Sequence, residues 1–171
     1  MLSRFFPKEF HNSVFEINYE ALFEKGFRGL IFDIDNTLAA FDIPHPPKKV
    51  VALVKSLQKI GFRLCLLSNN SAQRVKGFNN SLGLPAIHKA GKPQKRGLRK
   101  ALSLLKLTKE RTAIIGDQLF TDVWGGNRTG IYTILVNPLA KRDEWTVKLK
   151  RAPEKLVKNI YFKRYHNTGG N

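Results

Sequence analysis

Asp33 and Asp35 stand two residues apart directly after the apolar run Gly29-Leu30-Ile31-Phe32. Asp117 and Asp122 follow a second run, Ile114-Ile115-Gly116, while Ser68, Asn69 and Asn70 follow a third, Leu66-Leu67. Lys92 lies between the serine and the second acid pair. These residue types, placed at strand ends, can carry out phosphoryl transfer. Hydrolysis of a phosphate monoester needs an in-line nucleophile, a proton for the leaving oxygen, and positive charge to offset the phosphoryl oxygens. Asp33 can attack phosphorus to form an aspartyl phosphate, and Asp35 can protonate the leaving group and then activate water. Oxygen-only ligands from Asp33 and Asp117 suit Mg²⁺, a hard cation that lets carboxylates approach a dianion. Ser68 and the backbone N–H groups behind it can bind the phosphoryl oxygens, and Lys92 can place a point charge on the same group. Asp122 is read as support, holding a metal-bound water or orienting Lys92.

These residues need a scaffold that brings distant strand ends together. An open α/β sheet does so outside the carboxyl ends of its strands. Apolar runs predict strands over residues 28–35, 62–67, 111–115 and 131–136, with a short one at 85–87. Helical spacing or start signals predict helices over 47–60, 72–82 with Ser71 as N-cap, 93–105 and 121–127, and an amphipathic segment over 14–27. Strands alternating with helices imply right-handed crossovers and a three-layer, Rossmann-like α/β fold with a parallel sheet of about five strands. The pattern breaks near residue 141, which divides the chain into a core over 1–140 and a basic extension over 141–171 with a further helix near 154–162.

Composition bounds the rest. A chain of 171 residues, 42% hydrophobic, fits one domain with a sizeable core. Its single cysteine, Cys65, sits inside an apolar run and reads as a core thiol in a reducing, cytoplasmic setting. The four histidines lack the spacing of a zinc site. Thirty Lys and Arg against 13 Asp and Glu give a net charge of +17, which favours anionic partners: a phosphorylated substrate, an anionic membrane surface or nucleic acid.

The motifs, taken in order, resemble those of the haloacid dehalogenase-like phosphatases. Asp33-Ile34-Asp35-Asn36-Thr37 is similar to the first motif of that family (DxDxT), Ser68 after its strand to the second, Lys92-Pro93 to the third, and Gly116-Asp117 through Asp122 to the fourth. The stretches Asp33 to Leu38, His88-Lys89-Ala90-Gly91-Lys92-Pro93 and Gly116 to Val123 more closely resemble subfamily IIIA and its YqeG-like members, relatives of the mitochondrial phosphatidylglycerophosphate phosphatase. The resemblance implies a phosphoaspartate mechanism, Mg²⁺ and a lipid phosphate substrate. The resulting candidate set is Asp33 and Asp35 as catalytic residues. Thr37, Ser68, Asn69 and Lys92 would contact the phosphate, Asp33, Asp117 and the Asp35 backbone carbonyl would hold the metal, and Asp122 would support. Lys89, three residues before Lys92, remains an alternative source of the phosphate-binding charge.

Members of this family that carry a cap insert it after the first motif or between the second and third. The 33 positions from Asp35 to Ser68 and the 24 from Ser68 to Lys92 are already used by expected elements, so the site is expected to be open. An open site suits a substrate held on a surface. Two flanking features suit a membrane: the aromatic-basic stretch over residues 1–15, and the basic residues Lys148, Lys150, Arg151, Lys155, Lys158, Lys163 and Arg164. Packing against the sheet is the competing reading of the first. The run Lys89, Lys92, Lys95, Arg96, Arg99 and Lys100 reads either as a basic rim guiding an anionic substrate or surface, or as an ordinary solvated helix face. These clues place the chain in the cytoplasm, peripherally at the inner face of a membrane. Two alternatives remain at this stage: a phosphatase of soluble sugar phosphates or nucleotides, and an inactive basic domain bound to RNA or the ribosome. Four acids near a phosphate-binding surface and the lack of an RNP-like aromatic motif weigh against nucleic acid.

Overall fold

The computed structural model describes residues 2–139 and Ile160. Six strands form one wholly parallel sheet: β1 (Glu9–His11), β2 (Gly29–Phe32), β3 (Arg63–Leu67), β4 (Ala86–Ile87), β5 (Thr112–Gly116) and β6 (Tyr132–Val136), in the spatial order β1-β6-β5-β2-β3-β4. Strand β2 is buried at every position because both faces of the sheet are covered, which is why its sequence reads as a continuous apolar run rather than an alternating one. Leu30 and Phe32 point into a core shared with helices α1 (Tyr19–Glu24), α2 (Lys48–Ile60) and α3 (Ala72–Asn79). Ile31 points the other way, into a core shared with α4 (Lys95–Leu105). On that same face α5 (Trp124–Thr129) lies close on the sheet: a Cβ at Gly126 would collide with Thr133 and Ile114, so the residue must be glycine. Cys65 is wholly buried, and burial pushes its thiol up to about 12.

The helix starts have local causes. Ser71 caps α3 by accepting from the Arg74 N–H at 3.3 Å, as its sequence position predicts. Gly61, at φ 111°, ends α2 in a left-handed turn. The amphipathic stretch over 14–27 is broken rather than continuous: Val14–Glu16 is a 3₁₀ turn capped by Ser13, and α1 begins only after Asn18 accepts from the Ala21 N–H. Both capping side chains compete with helix continuation. Helix α4 starts at Lys95, two residues later than expected, and a π turn at Leu119–Val123 leads into α5.

The sixth strand is the largest departure from the sequence reading. Glu9–His11 pairs in parallel with β6, Phe10 opposite Leu135, inside the stretch read as suited to a bilayer interface. Three residues carrying a Glu and a His show no usable period, so the strand is set by its neighbour's ladder rather than by its own pattern. The aromatic residues around it are packed. Phe6 is buried with Leu119, Val123 and Leu135, and Phe5 lies edge-on to Phe120 at 5.2 Å. Of the large apolar residues in that stretch, Leu2 and Phe15 remain exposed among the described residues.

Among the described residues no cap interrupts the core. Between β2 and β3 the chain makes a loop and α2, and between β3 and Lys92 it makes α3 and β4. No helix among the described residues is long and apolar enough to cross a membrane. The expected helix near 154–162 and the C-terminal basic residues lie outside the described residues, apart from Ile160, which packs against the Phe6 cluster.

Candidate active site

Strands β5, β2 and β3 are neighbours, so their carboxyl ends converge. Asp33 follows β2 and is still laddered to β5 through its N–H to the Ile115 carbonyl at 3.0 Å. Its carboxylate meets Lys92 Nζ at 2.8 Å, and the same ammonium lies 2.7 Å from Asp122 Oδ1. Asp117, directly after β5, is wholly buried and accepts from the Thr37 hydroxyl at 3.4 Å. Asp33, Asp117 and Asp122 each present a carboxylate oxygen within 4.8 Å of the others'.

Three carboxylates and one ammonium leave a formal excess of two negative charges in a buried site. Such an excess is costly unless it is neutralised. Burial pushes the Asp33 carboxyl up to about 7, against the opposing pull of Lys92 and with the help of the Asp122 and Asp35 charges. Burial disfavours the Lys92 ammonium too, but Asp122 and Asp33 outweigh it and hold the amine above its ordinary value. A divalent cation matches both the charge excess and the all-oxygen donor set, so the residues fit a hard metal ion.

The positions are fixed from several sides. Asn69 pins the Lys92 backbone in both directions, accepting from its N–H at 2.8 Å and donating to its carbonyl at 3.1 Å. Lys89 is exposed, so the lysine of the buried cluster is Lys92. A Cβ on Gly116 would run into the Asp122 carboxylate, which therefore rests against bare backbone and also accepts from the Gln118 N–H at 3.2 Å. Asp122 thus lies in the cluster itself, in direct contact with the Lys92 ammonium. Ser68 is buried at the end of β3, its hydroxyl oxygen accepting from the Asn70 N–H at 3.0 Å. Among the described residues, Thr37 and Asn69 direct their side chains at Asp117 and the Lys92 backbone respectively.

Asp35 stands beside this cluster, not in it. Arg74 donates to its Oδ1 from Nη2 at 2.9 Å and from Nε at 3.0 Å, and Asn70 donates to its Oδ2 at 3.3 Å. Sequence reasoning missed Arg74. The signal was present: an arginine in the first turn of a helix that has no acid there opposes the helix dipole and calls for a partner.

An open parallel sheet with buried acids at the ends of adjacent strands has counterparts among known proteins. The family model for HAD-hydrolase-like proteins matches residues 89–161. The crystal structure of a HAD phosphatase from Thermococcus onnurineus shares the fold, with a TM-score of 0.56 and 12% identity over 70% of this chain and 90% of that one. The fold and site define a haloacid dehalogenase-like hydrolase. The chain is 38% identical over 167 residues to "Probable phosphatase YqeG" of Bacillus subtilis (strain 168), covering 97% of each. It belongs to the YqeG-like phosphatases of that family and is an enzyme. It is also 30% identical over 137 residues, 75% of its length, to "Phosphatidylglycerophosphate phosphatase 1, chloroplastic" of Chlamydomonas reinhardtii, of which it spans about half (51%).

Proposed function

We propose that this phosphatase hydrolyses a lipid-borne phosphomonoester, phosphatidylglycerophosphate or a close analogue, with Mg²⁺ and through an aspartyl phosphate on Asp33. The observation that carries the reading is the buried Asp33–Lys92–Asp122 contact with Asp117 beside it, at the ends of adjacent strands. Asp33, Asp117 and the Asp35 backbone carbonyl would hold the cation, with Asp122 close enough to join them. Bound there, it would offset charge on the phosphoryl oxygens. Asp33 is the nucleophile. Lys92 steadies the transferring group with its ammonium, and Ser68 and the N–H groups at the start of α3 bind phosphoryl oxygens. Asp35 gives a proton to the leaving alcohol and takes one from the attacking water.

The lipid substrate is supported by the likeness to the algal enzyme and by the absence of an inserted cap between β2 and Lys92. The core over 1–140 is taken as the catalytic unit, and the basic extension over 141–171 as the part that adds affinity for an anionic leaflet. The test is Mg²⁺-dependent phosphate release from phosphatidylglycerophosphate in mixed micelles, beside glycerol 3-phosphate and a nucleoside monophosphate, with Asp33→Asn as the blank. A kcat/KM at least about tenfold higher for the lipid is expected, roughly the value of one extra binding contact. Preference for a soluble ester overturns the lipid assignment and leaves the phosphatase chemistry standing.

A further inference from the structure

The Arg74 guanidinium is held on three sides. Its Nη2 and Nε donate to one oxygen of Asp35, its Nη1 donates to the Pro44 carbonyl at 3.2 Å, and its centre lies 5.2 Å from the ring centroid of Phe78, a wholly buried side chain. The Arg74 and Asp35 side chains are only 12% and 19% exposed. With Asn70 on the second oxygen, the Asp35 carboxyl group is fixed in rotation as well as in place. A planar fork with several parallel donors does this, and a lysine cannot. The contact ties two points of the loop between β2 and α2, Asp35 and Pro44, to the first turn of α3.

We infer that Arg74 is a positioning residue for Asp35: it aims the Asp35 carboxyl group at the leaving oxygen in the first half of the reaction and at water in the second. The inference rests on the proposed roles of Asp33 and Asp35. In the first half a carboxylate oxygen of Asp33 bonds to phosphorus, the bond from phosphorus to the leaving oxygen breaks, and that oxygen takes the proton of Asp35. In the second half a water oxygen bonds to phosphorus, its proton passes to Asp35, and the bond to Asp33 breaks with return of the electron pair to that carboxylate. An alkoxide needs its proton at the first step, whereas p-nitrophenolate is a stable anion and does not. Misaiming Asp35 therefore slows an alkyl ester in the first half and an aryl ester only in the second.

The test uses the full-length chain with Mg²⁺ and the variants Arg74→Met, Arg74→Lys, Asp35→Asn and Arg74→Met/Asp35→Asn. Methionine keeps an apolar stem against Phe78 and removes every donor. With phosphatidylglycerophosphate, Arg74→Met should lower kcat by about 100-fold, the scale of a 1 Å misplacement, with KM changed less than about threefold, and Arg74→Lys should recover only part of it. With p-nitrophenyl phosphate, Arg74→Met should release a rapid burst of about one p-nitrophenolate per enzyme and then turn over slowly, as the phosphorylated enzyme accumulates. On this substrate Arg74→Met/Asp35→Asn should be no slower than Asp35→Asn within about twofold, since coupled residues do not add. Equal losses on both esters without a burst, full activity in Arg74→Met, or a further tenfold loss in the double variant overturns the positioning role alone. Turnover by Asp33→Asn overturns the nucleophile reading and the inference with it.

Discussion

Asp33 sits where folding opposes its charge. Its carboxyl is raised from an ordinary 3.8 to about 7, so the neutral form is the one the fold favours. A raised folded-state value means that this contribution to stability is complete below about 4 and is lost as pH rises through about 7. Without divalent cations, the melting temperature of the wild type should therefore fall between pH 5 and pH 8 more than that of Asp33→Asn, which carries no charge to lose. Added Mg²⁺ at pH 8 should raise the wild-type Tm, move Asp33→Asn little, and leave that variant without turnover. Differential scanning fluorimetry with and without the cation measures both effects. Lys92→Ala should lower phosphatase activity by at least about 100-fold, the cost of one preorganised electrostatic contact. Lys89→Ala, an exposed position, should stay within about twofold in the same assay. Asp33, Lys92 and Asp117 were legible in the sequence because each follows an apolar run or a motif whose chemistry is local. The position of Arg74 in a first helical turn signalled the need for a partner, but not which one, because Asp35 stands 39 positions earlier in the chain and the two meet only through the fold.

At the level of elements, β2, β3, β5 and β6 were readable because burial on both faces writes itself as an apolar run. Strand β1 left no such mark. Its three residues are partly exposed, and its place follows from the open edge of β6 and from the aromatic cluster around Phe6, both tertiary facts. Composition alone made that aromatic stretch look like a membrane anchor, whereas Phe6 is buried and Phe5 and Phe10 pack, partly buried, against its cluster. Phe6→Ala should accordingly destabilise the protein by about 3–5 kcal/mol in urea unfolding, the range for a buried phenylalanine. The same substitution should leave vesicle binding per folded molecule unchanged. Ile160 packs against this cluster too, to which Leu119 and Val123 of the turn carrying Asp122 also belong.

Over the whole molecule the positive charge is spread widely. Helix α4 buries Leu98, Ala101 and Leu105 and turns Arg96, Arg99 and Lys100 to solvent, and it begins three residues after Lys92. A separate 620 Å³ pocket bordered by Arg4, Lys8, Lys109 and Arg128 opens where β5 and β6 begin, at the opposite end of the sheet from the carboxylates. The field near the site can gather an anionic surface, and such attraction fades with salt. Replacing Arg96, Arg99 and Lys100 together by glutamine should lower kcat/KM for a micellar lipid phosphate several-fold at low salt. It should do so less at 0.5 M salt, and p-nitrophenyl phosphate should be hydrolysed as before.

The spatial order β1-β6-β5-β2-β3-β4 differs from the order of synthesis. A chain emerging from its N-terminus completes β2, β3 and β4, and with them Asp33, Ser68 and Lys92, before β5 exists. At about 5–20 residues per second the stretch from Ser68 to Asp117 occupies several seconds. During that interval any pairing of β2 with β3 leaves the strand that will lie at the centre of the sheet as an edge, its backbone groups able to pair with another chain. Arrival of β5 closes that edge and delivers Asp117 and Asp122 in the same event, so the mutually repelling acids meet only once the strands that confine them are in place.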